Sequence, residues 1–191
     1  MDELLPRLRF DPAGPLPSPC WLEIGFGAGE HLAWQALQNP GTMLIGCEVY
    51  RNGVAVLLGQ IERQKIANIR LWPEDARDLM DRLPDCSIAR AFLLFPDPWP
   101  KSRHAERRFI GPANLDSLAR ILVPGAEFRV ASDDPTYLEW VATHLPAHPA
   151  FEPLPGGGER PADWPATRYE QKALRQGRQP GYFRYRRGKQ P

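Results

Sequence analysis

The sequence predicts an α/β domain: a mostly parallel, seven-stranded sheet with helices on both faces and an antiparallel strand at one edge. Three observations carry this expectation. From Cys20 to Leu145, short apolar runs alternate with amphipathic stretches, and strict β–α alternation implies a parallel sheet. A glycine-rich turn, Gly25-Phe26-Gly27-Ala28-Gly29, joins the first apolar run to the first amphipathic stretch. Two further strand-like runs, 151–154 and 182–186, close the chain and read as an edge hairpin. The length of 191 residues suits one domain able to bury a sizeable core.

Residues 1–19 hold Pro6, Pro12, Pro15, Pro17 and Pro19 and read as an extended lead-in. The single domain then spans 20–191. Its first strand is expected over 20–24 and its first helix over 30–37, stopped by Asn39-Pro40-Gly41. A second strand covers 42–49. Val54, Leu57, Leu58 and Ile61 share one face of a helix over 51–65. A strand over 68–72 precedes a short helix over 75–82, and the fourth strand runs over 87–95. Gly111-Pro112 introduces a helix over 113–122, with Leu115, Leu118, Ala119 and Leu122 on one side. The fifth strand covers 126–132, and Pro135 falls in the first turn of a helix over 135–145, where its missing N–H costs nothing. Residues 155–175 read as a long loop, and a long loop inside a compact domain is usually functional.

Chemistry concentrates at the ends of the strands. Gly25, Gly27 and Gly29 give G-x-G-x-G, whereas the dinucleotide fingerprint needs G-x-x-G after its first pair. Glu23 precedes them by two residues, and a carboxylate there suits an ammonium better than a pyrophosphate. S-adenosylmethionine has that ammonium and a cationic sulfur. Glu48, at the second strand's end, stands where an acid commonly accepts ribose hydroxyls. Asp75, with Glu74 beside it, follows the third strand and could meet an adenine amino group. These acids converge on the crevice at the carboxyl ends of the strands. The alternative for each is a helix N-cap.

Residues 95–108, FPDPWPKSRHAERR, are the most informative stretch. Pro96 and Pro98 stiffen the loop around Asp97, because proline fixes φ and removes a donor. Trp99, then Lys101, Arg103, His104, Arg107 and Arg108, follow. A rigid acid beside an aromatic and four cations suits an anionic, π-faced substrate such as a nucleotide. Asp133 ends the fifth strand. Thr167-Arg168-Tyr169-Glu170 mixes hydroxyl, cation, aromatic and acid; it also matches a capping box.

Net charge is +1, yet residues 167–191 hold eight Lys and Arg against Glu170 alone, and 101–108 hold four against Glu106. That asymmetry points to a polyanion-facing side. Cys20, Cys47 and Cys86 are too few and too scattered for a disulfide framework, so free thiols in a reducing cytoplasm are expected, with Cys20 and Cys47 as core fillers. The histidines form no metal-binding pattern, and no metal is expected. The N-terminal residues are too charged for a signal peptide, and no apolar run reaches the ~20 residues that span a bilayer.

Taken together, LEIGFGAGEH, GCEVY, EDARDL, FPDPWPKSRHAERR, VASD and TRYE resemble the bacterial tRNA (guanine-N7-)-methyltransferase family. The resemblance covers about 21–186, and its PDPW-x-K-x-RH string is far more specific than the glycine loop. It implies a Rossmann-like class I methyltransferase fold, S-adenosylmethionine as methyl donor, tRNA as partner, and a guanine of the variable loop (position 46 in tRNA numbering) as target. It assigns the cofactor to Glu23, Glu48, Asp75 and Asp97, with Asp97 also catalytic. Lys101, Asp133, Thr167, Arg168, Tyr169 and Glu170 would contact substrate. It implies no obligate protein partner and fits a monomer or homodimer. Rival readings are a class I methyltransferase acting on a small molecule or protein, and a catalytically silent RNA-binding protein of the same fold.

Overall fold

The computed structural model describes residues 3–188. Seven strands form one sheet in the order β3-β2-β1-β4-β5-β7-β6. The strands β1 (Cys20–Ile24), β2 (Met43–Cys47), β3 (Ile69–Trp72), β4 (Ile88–Leu94) and β5 (Leu122–Ser132) are parallel to their neighbours among themselves. β7 (Gly181–Arg187) runs antiparallel to both β5 and β6 (Phe151–Pro153). The closing hairpin therefore completes the sheet by sliding its second strand between β5 and the edge.

Alternation along the strands sorts the core onto two faces. Ile45 and Trp72 point toward α4 (Ala76–Met80), α5 (Pro112–Ile121) and α6 (Pro135–His144), together with Leu79, Leu115, Leu118, Tyr137 and Val141. Leu44, Ile69 and Leu71 point the other way, onto Leu32 and Ala36 of α2 (Glu30–Gln38) and Val54, Leu57 and Ile61 of α3 (Arg51–Gln64). On that second face, α2 and α3 cover only the β1–β3 half. Phe92, Leu94, Ala131 and Tyr182 continue it, and Trp164 from the late loop covers them.

The N-terminal lead-in corrects the expectation of an extended segment. Leu4–Leu8 forms a helix, α1, whose Leu4, Leu5 and Leu8 pack against the α2–α3 cluster. Pro6 is tolerated because first-turn N–H groups have no intrahelical acceptor. Phe10 is buried, and its N–H donates to the carbonyl of Leu71 at 2.8 Å, tying this segment to β3. The late loop differs too. Arg168–Arg175 is a helix, α7, capped by the Thr167 hydroxyl, so only the stretch up to Ala166 is loop. No helix among the described residues is long and apolar enough to cross a membrane.

Candidate active site

The glycine loop leaves β1 and enters α2 with Gly25, Gly27 and Gly29 all at positive φ. Such angles are strained for residues with a Cβ. At Gly25 an added Cβ would meet nothing within 4 Å, so the backbone there faces open space. Gly25 borders two cavities. One, about 160 Å³, is lined by Ile24, Cys47, Glu48, Glu74, Asp75 and Phe109. The other, about 20 Å³, lies between Glu23, His31, Phe95, Thr167 and Tyr169. A bare glycine backbone between an acid-lined larger cavity and a second buried carboxylate fits an adenosyl group with an ammonium tail.

Glu48 and Asp75 are positioned by backbone N–H groups, Glu74 and Glu23 by side chains. Glu48 accepts from Gly27 N–H at 2.7 Å and from Tyr50 N–H at 2.8 Å, which aims its carboxylate along the loop. Asp75 caps α4, accepting from Arg77 N–H at 2.9 Å, yet it also lines the larger cavity. The capping and ligand-facing readings of Asp75 therefore coexist. Glu74 pairs with Arg9 from the N-terminal segment. Glu23 is almost fully buried and bonds His31 Nδ1 at 2.7 Å. Burial holds the Cys47 thiol far above its ordinary pKa, with the charges of Asp75 and Glu48 adding to it; burial pushes Cys20 up to about 12. Both behave as core fillers.

Beyond β4, Asp97 is exposed and, among the described residues, carries no hydrogen bond or ion pair. Its loop is bracketed by Phe95 at φ 50° and Trp99 at φ 43°. A left-handed conformation costs a bulky residue about 1–3 kcal/mol, and such strain clusters at functional sites. Trp99 is held by Arg107 at 4.8 Å over its ring and by the edge of His104. Lys101 and Arg103 are exposed. Arg108 departs from the expected phosphate-gripping cluster. It is buried, bonds the carbonyls of Pro98 at 3.1 Å and Trp99 at 2.9 Å, and lies over Trp140. Its role is to hold the Asp97 loop in shape.

Thr167, Arg168 and Tyr169 sit closer to the glycine loop than their sequence positions suggest. Arg168 grips Glu30 through its backbone N–H at 2.7 Å and its guanidinium at 2.6 Å. Tyr169 stacks near Phe95 and lies against Gly27: a Cβ there would come within 3.0 Å of the tyrosine hydroxyl. Thr167 caps α7, but Glu170 does not complete a capping box. Its carboxylate instead accepts from Tyr182 Oη at 2.8 Å and pairs with Arg160 at 3.2 Å. Asp133 pairs with Arg178 at 3.0 Å, because the neighbouring Asp134 is the residue that caps α6.

Four of the eight cations in the basic C-terminal segment are paired with carboxylates within the molecule. Arg168, Arg178, Arg184 and Arg186 pair with Glu30, Asp133, Glu127 and Glu152. Lys189 lies outside the described residues. The charge asymmetry along the sequence therefore describes long-range pairing as much as a free cationic tail. Glu127 also meets Arg129 and Arg90, and Arg129 reaches Asp163 at 2.8 Å. Burial would raise the Glu127 pKa, but hydrogen bonds from Arg129 and Arg184 outweigh it and hold the group below the usual carboxylate range.

Three residues near the site escaped sequence reasoning: His31, Gln35 and Trp164. Trp164, alone in a Pro-rich stretch, was the legible signal, since a lone large aromatic there is an anchor. It packs against His31, Phe92 and Tyr182 at ring distances of 5.3, 6.3 and 5.7 Å. His31 and Gln35 looked like ordinary helix residues.

A family model described as a putative methyltransferase matches residues 17–181. The tRNA (guanine-N(7)-)-methyltransferase of Paramagnetospirillum magneticum is 55% identical, over 98% of this chain and 85% of that protein. That of Rhodospirillum rubrum is 51% identical, over 98% and 80%. The chain belongs to the tRNA (guanine-N7-)-methyltransferase family. Solved structures agree with the fold this family membership implies. The 16S rRNA methyltransferase KamB superposes with a TM-score of 0.66 at 16% identity, over 91% of this chain and 90% of that one. TrmN from Thermus thermophilus gives 0.60 at 16% identity, over 90% of this chain and 44% of that one. At such identities the likeness concerns the class I methyltransferase fold alone.

Proposed function

We propose that this protein methylates N7 of a guanine in tRNA, at position 46 of the variable loop, using S-adenosylmethionine and giving 7-methylguanosine. One observation supports this most: a bare carboxylate, Asp97, stands on a stiff, strained loop beside exposed Lys101 and Arg103, at the strand end next to the glycine loop. When bound, S-adenosylmethionine supplies a methyl group made electrophilic by its sulfonium.

Guanine N7 carries an in-plane lone pair and needs no deprotonation, so the protein need not supply a strong base or a nucleophile. The new N–C bond forms as the C–S bond breaks, and the electron pair stays on sulfur. What the chain supplies is alignment and charge complementarity. Glu23 would meet the ammonium, Glu48 the ribose hydroxyls and Asp75 the adenine amino group. Asp97 would hold the N1 and amino edge of the base and offset the positive charge that grows on it, and it would also border the cofactor. Lys101 and Arg103 would take phosphates. Asp133 and the Thr167–Glu170 element would frame the substrate, with Thr167 and Glu170 acting mainly by holding α7. On this reading the chain from residue 20 onward is one methyltransferase domain whose 155–175 segment would face substrate, and the reaction would take place in the cytoplasm, where tRNA is.

The test is methyl transfer from labelled S-adenosylmethionine to unmodified tRNA, followed by nucleoside analysis. 7-Methylguanosine should appear and should vanish when the variable-loop guanine is replaced. Cofactor binding without transfer to any tRNA would refute the substrate and leave the fold.

A further inference from the structure

Glu23 and His31 are both about 3% exposed, and they form a buried pair at the smaller cavity. The protonation of this pair can be read from what lies behind it. Gln35, one helical turn beyond His31, places its side-chain nitrogen 3.1 Å from His31 Nε2 and 2.9 Å from the carbonyl oxygen of Asp163. Its side-chain oxygen faces the Asn39 amide nitrogen at 3.3 Å. Turning the amide over would set oxygen against the Asp163 carbonyl and nitrogen against Asn39, two mismatches at once. The Gln35 amide is therefore a donor to His31 Nε2, and Nε2 accepts. The imidazole is neutral, and its single proton sits on Nδ1, pointing at Glu23. Phe92 and Trp164 meet the ring edge-on at 4.7 and 5.3 Å, which keeps it from turning.

A neutral donor orients a carboxylate without cancelling its charge. Glu23 is thus held in one direction while its negative charge is left for a cation. We propose that His31 is a positioning residue that aims Glu23 at the ammonium end of the cofactor, and that Gln35 ties this pair to the substrate loop at Asp163. The proposal rests on the S-adenosylmethionine reading above. The loop connection is direct: Asp163 gives its backbone oxygen to Gln35 and its carboxylate to Arg129 of β5, while Trp164 beside it contacts His31. The 155–175 loop is thereby two hydrogen bonds, both made by the Gln35 amide, from the residue that sets Glu23.

The experiment compares two ligands on the full chain by titration calorimetry. S-adenosylhomocysteine has the amino-acid end; 5′-methylthioadenosine lacks it. His31→Leu should weaken S-adenosylhomocysteine about ten- to a hundredfold, the range for a hydrogen bond to a charged group. It should leave 5′-methylthioadenosine unchanged, and raise KM for the cofactor but not for tRNA. His31→Asn, whose amide nitrogen overlies Nδ1, should restore most of the loss. Equal weakening of both ligands would reduce His31 to a packing residue, and no weakening of either would overturn its role. A wild-type protein that binds neither compound would sink the cofactor reading itself, which is a separate failure. For the loop, S-adenosylhomocysteine should slow cleavage after Glu159 by a glutamate-specific protease in the wild type and not in Gln35→Leu. Equal slowing in both proteins would break the connection. Nitrogen-15 shifts of His31 should show a neutral ring protonated on Nδ1; a proton on Nε2, or a doubly protonated ring, would contradict the assignment.

Discussion

The two halves of the second sheet face are built by different means. Over β1–β3, helices α2 and α3 lay down leucines, valines and isoleucines, and the acids at the strand ends are already bonded into the protein: Glu48 to the glycine loop, Glu23 to His31, Asp75 to α4. Over β4, β5 and β7, a loop takes the place of helices, Trp164 is its anchor, and arginines pair with Glu127 and Asp163. Beside that half, Asp97, Lys101 and Arg103 stand exposed. The proposed cofactor half is preorganised by bonds already made within the protein. The proposed substrate half is a scaffold of long-range pairs beside which bare groups face outward.

That division can be broken. The largest effect should come from Asp97→Ala. Turnover should fall by about 10³ or more, while RNA affinity stays within about tenfold by filter binding. Full activity would remove Asp97 from the substrate half's chemistry. Next, Trp164→Ala should cost about 3–5 kcal/mol of stability in urea melts, because a large side chain leaves the cover of the sheet. A loss under about 1 kcal/mol would mean the loop is not the cover it looks to be. Lys101→Ala should weaken tRNA binding and lower the slope of log affinity against log salt by about 1. The smallest effect should belong to Arg186→Ala. Its partner Glu152 is half-exposed, so stability should change by less than about 1 kcal/mol. The salt slope should not move. An Arg186 effect on that slope as large as that of Lys101 would restore the cationic-tail reading that the internal pairing argues against.

The same division explains what could be read from the chain. The parallel strands and their helices were legible because Val54, Leu57, Leu58 and Ile61 recur at helical spacing and short apolar runs alternate with them. The placement of Glu23, Glu48 and Asp75 beside the glycine loop was legible because each stands at a fixed offset from a glycine or a strand end. Asp97 was legible because two prolines isolate it. The pairing of Arg184 with Glu127, 57 positions apart, was not legible, and neither was that of Arg129 with Asp163, 34 apart. Such contacts depend on which strands become neighbours, a property of the assembled sheet. Counting charges along residues 167–191 therefore overstated the free cationic surface. The α1 helix was hidden for a different reason: Pro6 and the four prolines that follow the helix carry a stronger local signal than Leu4, Leu5 and Leu8.

The backbone around Asp97 has one further consequence. Phe95 and Trp99 hold left-handed angles that most sequences would hand to glycine. The loop that carries Asp97 thus holds two of the four non-glycine residues at positive φ among the described residues. Selection for heat resistance alone would find easy gains there, by letting these two residues slip back to ordinary angles. The same change would let Asp97 swing away from its place, so on the role proposed for Asp97 thermostability and turnover pull this loop in opposite directions.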